Sequence, residues 1–215
     1  MQGSVIDYGA KAVRAAGDSR ITGVVLAGGK STRLGRNKSC VRFARKDGEL
    51  DLLANTVAIL ENVCGKAIIV GQQMPGYTSY PDITPGKGPM GGIETALKVT
   101  HTACLVLSCD LPFMNQRVLE RLLMTHRNRP AGKLSTAYKS GETGRIEALV
   151  AIYEQETLPM FSNCLANNLL KSSITVPMER QYFIPYSEEE SRYFFNINHP
   201  ADLETAARII SVMGE

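Results

Sequence analysis

Short, almost wholly apolar runs alternate with stretches of helical period through the first two thirds of the chain. Gly23-Val24-Val25-Leu26, Ala67-Ile68-Ile69-Val70 and Cys104-Leu105-Val106-Leu107 are too short for helices and rich in branched residues, so they predict strands. Between them, Leu52 to Val63 carries apolar residues at helical spacing. Gly91-Gly92 opens a helix that continues from Glu94 to Val99, and Val118 to His126 is another. Strands that are apolar on both faces and separated by helices imply an α/β fold with a mostly parallel sheet covered on both sides.

The last third departs from this rhythm. Ser135 to Tyr138 and Ala148 to Tyr153 flank a Gly141 to Gly144 turn, which predicts a small antiparallel excursion. Thr157 to Leu170 reads as a helix with Thr157 as its N-cap. His199-Pro200-Ala201-Asp202 reads as N-cap, N1 proline and an acid in the first turn of a closing helix through Ile210. No Pro-, Gly- or Ser-rich linker divides the chain, and a single domain follows.

Composition narrows the function. The 215 residues are 44% hydrophobic, with no apolar run near the ~20 residues of a membrane span. The first twenty carry Asp7, Lys11, Arg14, Asp18 and Arg20, unlike a secretory leader, so a cytoplasmic protein is expected. A net charge of +3 from 24 basic and 21 acidic side chains is too small and dispersed for a nucleic-acid footprint. The five cysteines form no C-x-x-C pair and read as reduced core or loop residues. His101, His126 and His199 lack the spacing of a transition-metal site.

Three loops carry candidate chemistry. The first, Leu26 through Lys38, leaves a buried strand with three glycines and the cations Lys30, Arg33, Arg36 and Lys38, a composition suited to cradling phosphate. It is not a P-loop, because Val24 stands where that motif needs its first glycine, and no G-x-G-x-x-G register starts at Gly28 or Gly29. The second, Asp82 through Gly92, feeds a helix. The third, Ser108-Cys109-Asp110-Leu111-Pro112-Phe113, places Asp110 just beyond a strand's carboxyl end, where ligands gather in open α/β sheets. All three loops are read as following apolar strands, so their tips converge on one edge. Phosphate donors, cations and one carboxylate suited to a partly hydrated Mg²⁺ point to phosphoryl or nucleotidyl transfer. Neither Ser108 nor Cys109 has an evident His partner for covalent catalysis.

These segments together resemble the molybdenum cofactor guanylyltransferases, within the nucleoside triphosphate transferases that share a Rossmann-like domain. Leu26-Ala27-Gly28-Gly29 with Ser31, Arg33-Leu34-Gly35 and Lys38 is similar to L-A-G-G-x-S-x-R-M-G-x-x-K. Gly88-Pro89-Met90-Gly91-Gly92-Ile93 is similar to G-P-L-x-G-I, and Cys109-Asp110-Leu111-Pro112-Phe113 to C-D-M-P-F. Phe195-Asn196-Ile197-Asn198-His199-Pro200-Ala201-Asp202-Leu203 resembles F-x-N-I-N-T-P-E-D-L with one residue dropped. Arg145-Ile146-Glu147-Ala148-Leu149 resembles a segment with E-P-L, with Ala148 in place of the proline.

The resemblance implies a three-layer α/β/α domain over residues 21–215, preceded by an N-terminal extension, 1–20. It implies transfer of GMP from GTP to the phosphate of molybdopterin or Mo-molybdopterin, with pyrophosphate released. The backbone of Leu26, Ala27 and Gly28 would hold the nucleotide, with Gly29 completing the turn and Gly88 in the second loop. Arg33 and Lys38 would engage the triphosphate, and Asp82 would contact the guanine nucleotide. Gly71 falls where some members have a nucleotide-contacting Asn. Asp110 would bind Mg²⁺, with Asn198 assisting, so the catalytic set is Lys38, Arg33 and Asp110. The stretch from Leu169 to Tyr186 would shape the pterin pocket, and transient contact with other molybdenum-cofactor proteins follows. The alternatives are a CTP- or sugar-phosphate-using relative, and a non-catalytic nucleotide-binding regulator.

Overall fold

The computed structural model describes residues 20–28, 42–45 and 48–213. Apart from Arg20, the expected extension 1–20 lies outside them. Nine strands and five α-helices are described: β1 (Ile21–Leu26), β2 (Arg42–Arg45), β3 (Gly48–Asp51), α1 (Leu52–Cys64), β4 (Ala67–Val70), β5 (Ser79–Tyr80), α2 (Pro89–Thr100), β6 (Ala103–Ser108), α3 (Gln116–Arg127), β7 (Ser135–Ser140), β8 (Ile146–Tyr153), α4 (Leu158–Ala166), β9 (Gln181–Tyr186) and α5 (Pro200–Met213). A seven-stranded sheet has the order β5-β4-β1-β6-β8-β7-β9, and β2 and β3 form a separate antiparallel pair. Within the large sheet, β8 alone runs against its neighbours, which is the expected antiparallel excursion.

Period-two alternation sorts the strands' side chains between two cores. Val25, Leu105 and Leu107 meet Val57 and Leu60 of α1 and Leu119 and Leu122 of α3. Val24, Cys104 and Val106 meet Ile93 and Leu97 of α2 and Phe161 of α4. Helices therefore cover both faces, and the three-layer α/β/α architecture holds. No helix among the described residues is long and apolar enough to cross a membrane.

Capping sets several boundaries. Asp51 accepts from Ala54 N (3.0 Å), and Gly65 closes α1 at φ 79°. Asn115 caps α3 through Val118 N. His199 precedes Pro200 as expected, and Asp202 accepts from the backbone N–H of Asn198 and of His199 (both 2.7 Å), the reciprocal half of a capping box.

Some expectations need correction. The helix expected over Thr157 to Leu170 is α4, Leu158–Ala166, entered by a 3₁₀ turn over Gln155–Thr157. Thr157 makes no side-chain cap, because its hydroxyl donates back to Glu154 O (2.7 Å). The second loop follows β5, two polar residues at the sheet edge, rather than an apolar strand. β5 has no apolar run of its own, and in β9 the short run Tyr182-Phe183-Ile184 is cut by Pro185; both are strands through their pairing with β4 and β7.

Candidate functional site

The parallel ladders end level. Leu26 pairs with Val70 on one side and Ser108 on the other, so the chain leaves β1, β4 and β6 at one edge. The chain runs from β1 outward to β4 and β5, then returns to β6 on β1's other side. This reversal of winding opens a crevice at the strands' carboxyl ends.

On the β1–β4 side the crevice floor is glycine backbone. Ala27 N donates to Val70 O (2.9 Å), and Gly71 N to Tyr80 O (2.9 Å). Gly71 has φ 111°, and a Cβ there would collide with the N and Cα of Gly28. A Cβ on Gly28 would in turn stand 3.0 Å from Gly71 Cα and 3.4 Å from Asp82 Oδ2. A side chain at position 71 is thus excluded by the approach of two loops.

Asp82 is the electrostatic centre of this half. Its carboxylate lies between Gly28 and Gly92, and among the described residues no donor reaches its buried Oδ1. Burial pushes its pKa up. The loop is clamped from α2: Thr95 Oγ1 accepts from Ile83 N (2.9 Å), and Glu94 Oε2 accepts from Thr84 Oγ1 (3.0 Å). Burial alone would raise the Glu94 pKa, but hydrogen bonds from Lys98, Ser162 and Thr84, with the Lys98 charge, bring it below the usual carboxylate range. Gly88 precedes Pro89 at φ 58° and gives α2 no side-chain cap, unlike α1 and α3. Pro89 has no N–H, and Gly91 N (3.1 Å) and Gly92 N (3.4 Å) donate to Gly88 O, so the first turn of α2 is closed on its own backbone beside Asp82.

Asp110 follows β6 and is 8% exposed. Ser108 Oγ donates to its Oδ1 (2.6 Å), and Ile197 N donates to its backbone O (2.9 Å), which brings the Asn196–Asn198 stretch alongside. Asp110 is no helix cap, since Asn115 has that role in α3. Among the described residues no three His, Cys, Asp or Glu side chains gather as a metal cage. One carboxylate with an amide nearby nonetheless fits Mg²⁺, which keeps several waters and takes its other ligands from substrate phosphates. Ser108 was missed as a functional residue. Its signal was the i, i+2 spacing to Asp110, which keeps both side chains on one side of an extended segment.

Gly29, Arg33 and Lys38 lie outside the described residues. The structure brings together Leu26, Ala27, Gly28, Gly71, Asp82 and Gly88 on one flank, and Asp110 and Asn198 on the other.

Beside Asp110, a cavity of about 180 Å³ is lined by Ser108, Leu111, Arg145, Glu147, Ser172 and Asn196, among others. A larger one, about 700 Å³, is walled by Phe113, Arg117, Arg121, Tyr138, Glu190 and Tyr193. Its lining holds none of the candidate residues, and Arg121 there is engaged by Glu190 (2.7 Å) and Pro185 O (3.2 Å). The remaining reactive side chains are structural. Cys64, Cys104, Cys109 and Cys164 are free thiols, and burial pushes the Cys104 pKa up to about 12. Buried His126 bonds Thr136 (2.9 Å) and Glu154 (3.0 Å).

Comparison with known proteins agrees with this geometry. A probable molybdenum cofactor guanylyltransferase of Carboxydothermus hydrogenoformans is 28% identical over 202 residues, covering 89% of this chain and 98% of that protein. Another from Flavobacterium johnsoniae is 29% identical over 187 residues, covering 85% and 94%. The crystal structure of molybdopterin-guanine dinucleotide biosynthesis protein A from Archaeoglobus fulgidus superposes with a TM-score of 0.70 at 24% identity, covering 88% of this chain and 98% of that one, a likeness of fold. The MobA-like NTP transferase domain matches residues 23–180, and the chain belongs to that family.

Proposed function

We propose that the protein transfers GMP from GTP to the terminal phosphate of molybdopterin, releasing pyrophosphate. The observation that carries this reading is Asp82, whose buried Oδ1 lacks a donor among the described residues. Guanine presents two adjacent donors, N1–H and the 2-amino group, to such a carboxylate, whereas cytosine presents only its 4-amino group. The names of the relatives support the same substrate pair.

The glycine floor at Gly28 and Gly71 lets the nucleotide approach backbone closely. Asp110, oriented by Ser108, would hold Mg²⁺ with help from Asn198. When bound, the metal neutralises charge developing on the transferring phosphoryl group. Arg33 and Lys38 add cations to the triphosphate. The acceptor phosphate is already ionised near neutrality, so the reaction needs no general base, and positioning supplies most of the acceleration.

The test is a nucleotide panel read by thermal unfolding with Mg²⁺ present. GTP should protect more than CTP, ATP or UTP, and pyrophosphate should appear when molybdopterin is added. Preference for CTP would move the protein to a sister activity. Protection without pyrophosphate would leave a nucleotide-binding regulator.

A further inference from the structure

The cavity at the start of β8 contains a carboxylate that the transfer chemistry above does not use. Glu147 is 7% exposed. Its Oε1 accepts from Tyr186 Oη (2.7 Å) and pairs with Arg145 Nε (3.1 Å). The hydrogen bond and the ion pair fall on one oxygen, and no described residue donates to Oε2. Burial and the bond to Glu147 push the Tyr186 pKa up to about 12, so its hydroxyl keeps its proton and stays a donor at neutral pH. Oε1 is thus committed, while Oε2 belongs to a residue lining a cavity whose other walls include Ser108, Ser172, Ser173 and Asn196. A carboxylate oxygen that stays accessible in the cavity, with no protein donor of its own, can accept from a ligand that brings N–H groups.

The place of the cavity says which substrate enters it. The antiparallel ladder between β6 and β8 ends at Leu107↔Val150. Run on by three residues, it sets Asp110 alongside Glu147, and Ser108, Leu111, Arg145 and Glu147 do line the one cavity. Asp82 and the glycine floor lie on β1's other side. A ligand with its ring against Glu147 and its phosphate toward Asp110 is therefore the acceptor, not the nucleotide. Arg145, 60% exposed in its side chain, remains near the mouth for an anionic group.

We propose that Glu147, braced by Tyr186 and Arg145, reads the 2-amino-4-oxo edge of the acceptor's pterin ring. This assignment rests on the acceptor named under the proposed function. With Oε1 committed, Oε2 is the oxygen that accepts from the 2-amino group, the donor that distinguishes this edge from a 2-oxo ring. The enzyme then uses one recognition chemistry twice, Asp82 for guanine and Glu147 for the pterin, on opposite flanks of Asp110.

The probe is neopterin, a fluorescent 2-amino-4-oxopteridine, titrated into the full chain with Mg²⁺ and a non-hydrolysable GTP analogue. Lumazine, with a carbonyl in place of the 2-amino group, is the comparison. The parent protein should bind neopterin at least ~10-fold more tightly than lumazine, and Glu147→Gln should lose that preference. Glu147→Asp keeps the charge but withdraws it by one methylene. It should lose the preference as well, and it serves if Gln at this buried position does not fold. Thermal protection by GTP should survive in either variant. Equal binding of the two ligands by the parent, no saturable neopterin binding, or an unchanged preference in a folded variant overturns the proposal. Failure of the parent to prefer GTP, with the neopterin preference intact, would instead overturn the nucleotide assignment alone.

Discussion

The two flanks of the crevice are built on opposite plans. On the β1–β4 side, backbone meets backbone: Gly28 and Gly71 approach so closely that neither accepts a Cβ, and one carboxylate, Asp82, stands over them. On the β8–β9 side, side chain meets side chain: Glu147 of β8 accepts a hydrogen bond from Tyr186 of β9 and is ion-paired with Arg145. The first plan suits a triphosphate, which is bound by amides and needs close approach. The second suits a ring, which is selected by directional donors and acceptors. Asp110 stands between them, where the proposed transfer would bring the two phosphates together.

The largest effect should come from this shared position. Asp110→Asn preserves size and the acceptor for Ser108, so the melting temperature should stay near the parent's while turnover falls at least ~10²-fold, equivalent to about 2.7 kcal/mol of transition-state stabilisation. Near-parental turnover at saturating Mg²⁺ would move the metal to Asp82 or Asn198.

Next is the backbone flank. Gly71→Ala introduces a Cβ at φ 111° against Gly28, and should destabilise the fold by about 1–3 kcal/mol. It should also abolish thermal protection by GTP while sparing neopterin binding, which a denaturant titration and the two ligand assays would show. Loss of both ligands together would mean the flanks are not separable.

Asp82→Asn should separate stability from binding. Burial raises the folded-state pKa of Asp82 above its ordinary 3.8. The folded state therefore binds the proton more readily, and the ionised group destabilises the free protein above that raised value, a penalty relieved as pH falls through it. At neutral pH the variant should melt higher than the parent without ligand, yet gain less from GTP. At a pH below both values the ligand-free melting temperatures should converge. A lower ligand-free melting temperature at neutral pH would contradict the burial argument.

The smallest effect concerns a hydroxyl that bonds α3 and neither flank, although the Tyr138 ring packs edge-on against Tyr186 (6.5 Å between centroids). Tyr138 Oη donates to Val118 O (2.8 Å) and ties α3 to β7. Tyr138→Phe should cost about 1 kcal/mol without changing the binding of either ligand. A changed preference between GTP and CTP in this variant would show that the α3 face reaches the site.

Strand and helix identities in the nucleotide half were legible because each apolar run is buried on both faces and needs no partner to be recognised. β4 matches its expected bounds, and β1 and β6 extend theirs by one or two residues, with Ile21 and Ala103 adding to the same cores. β5 and β9 were not legible, since Ser79–Tyr80 and Gln181–Tyr186 owe their extended form to neighbouring strands. Thr157 misled for a local reason: a hydroxyl that can cap the helix ahead can equally bond the turn behind, and Glu154 O is closer at hand.

The amino-acid sequence alone determined the α/β class, the order of the glycine loops and Asp110's place after a buried strand, because these depend on hydrophobic period and local chain stiffness. It also carried the motifs that mark the nucleotidyltransferase resemblance. Tertiary structure decided what stands beside what. Position 71 meets Gly28 across a ladder, Asp82 lies over both from beyond an edge strand, and Glu147 shares a cavity with Ser108 and Leu111 only because β8 inserts antiparallel between β6 and β7. Such contacts join residues tens of positions apart, and their geometry depends on register and strand order, which no local pattern encodes.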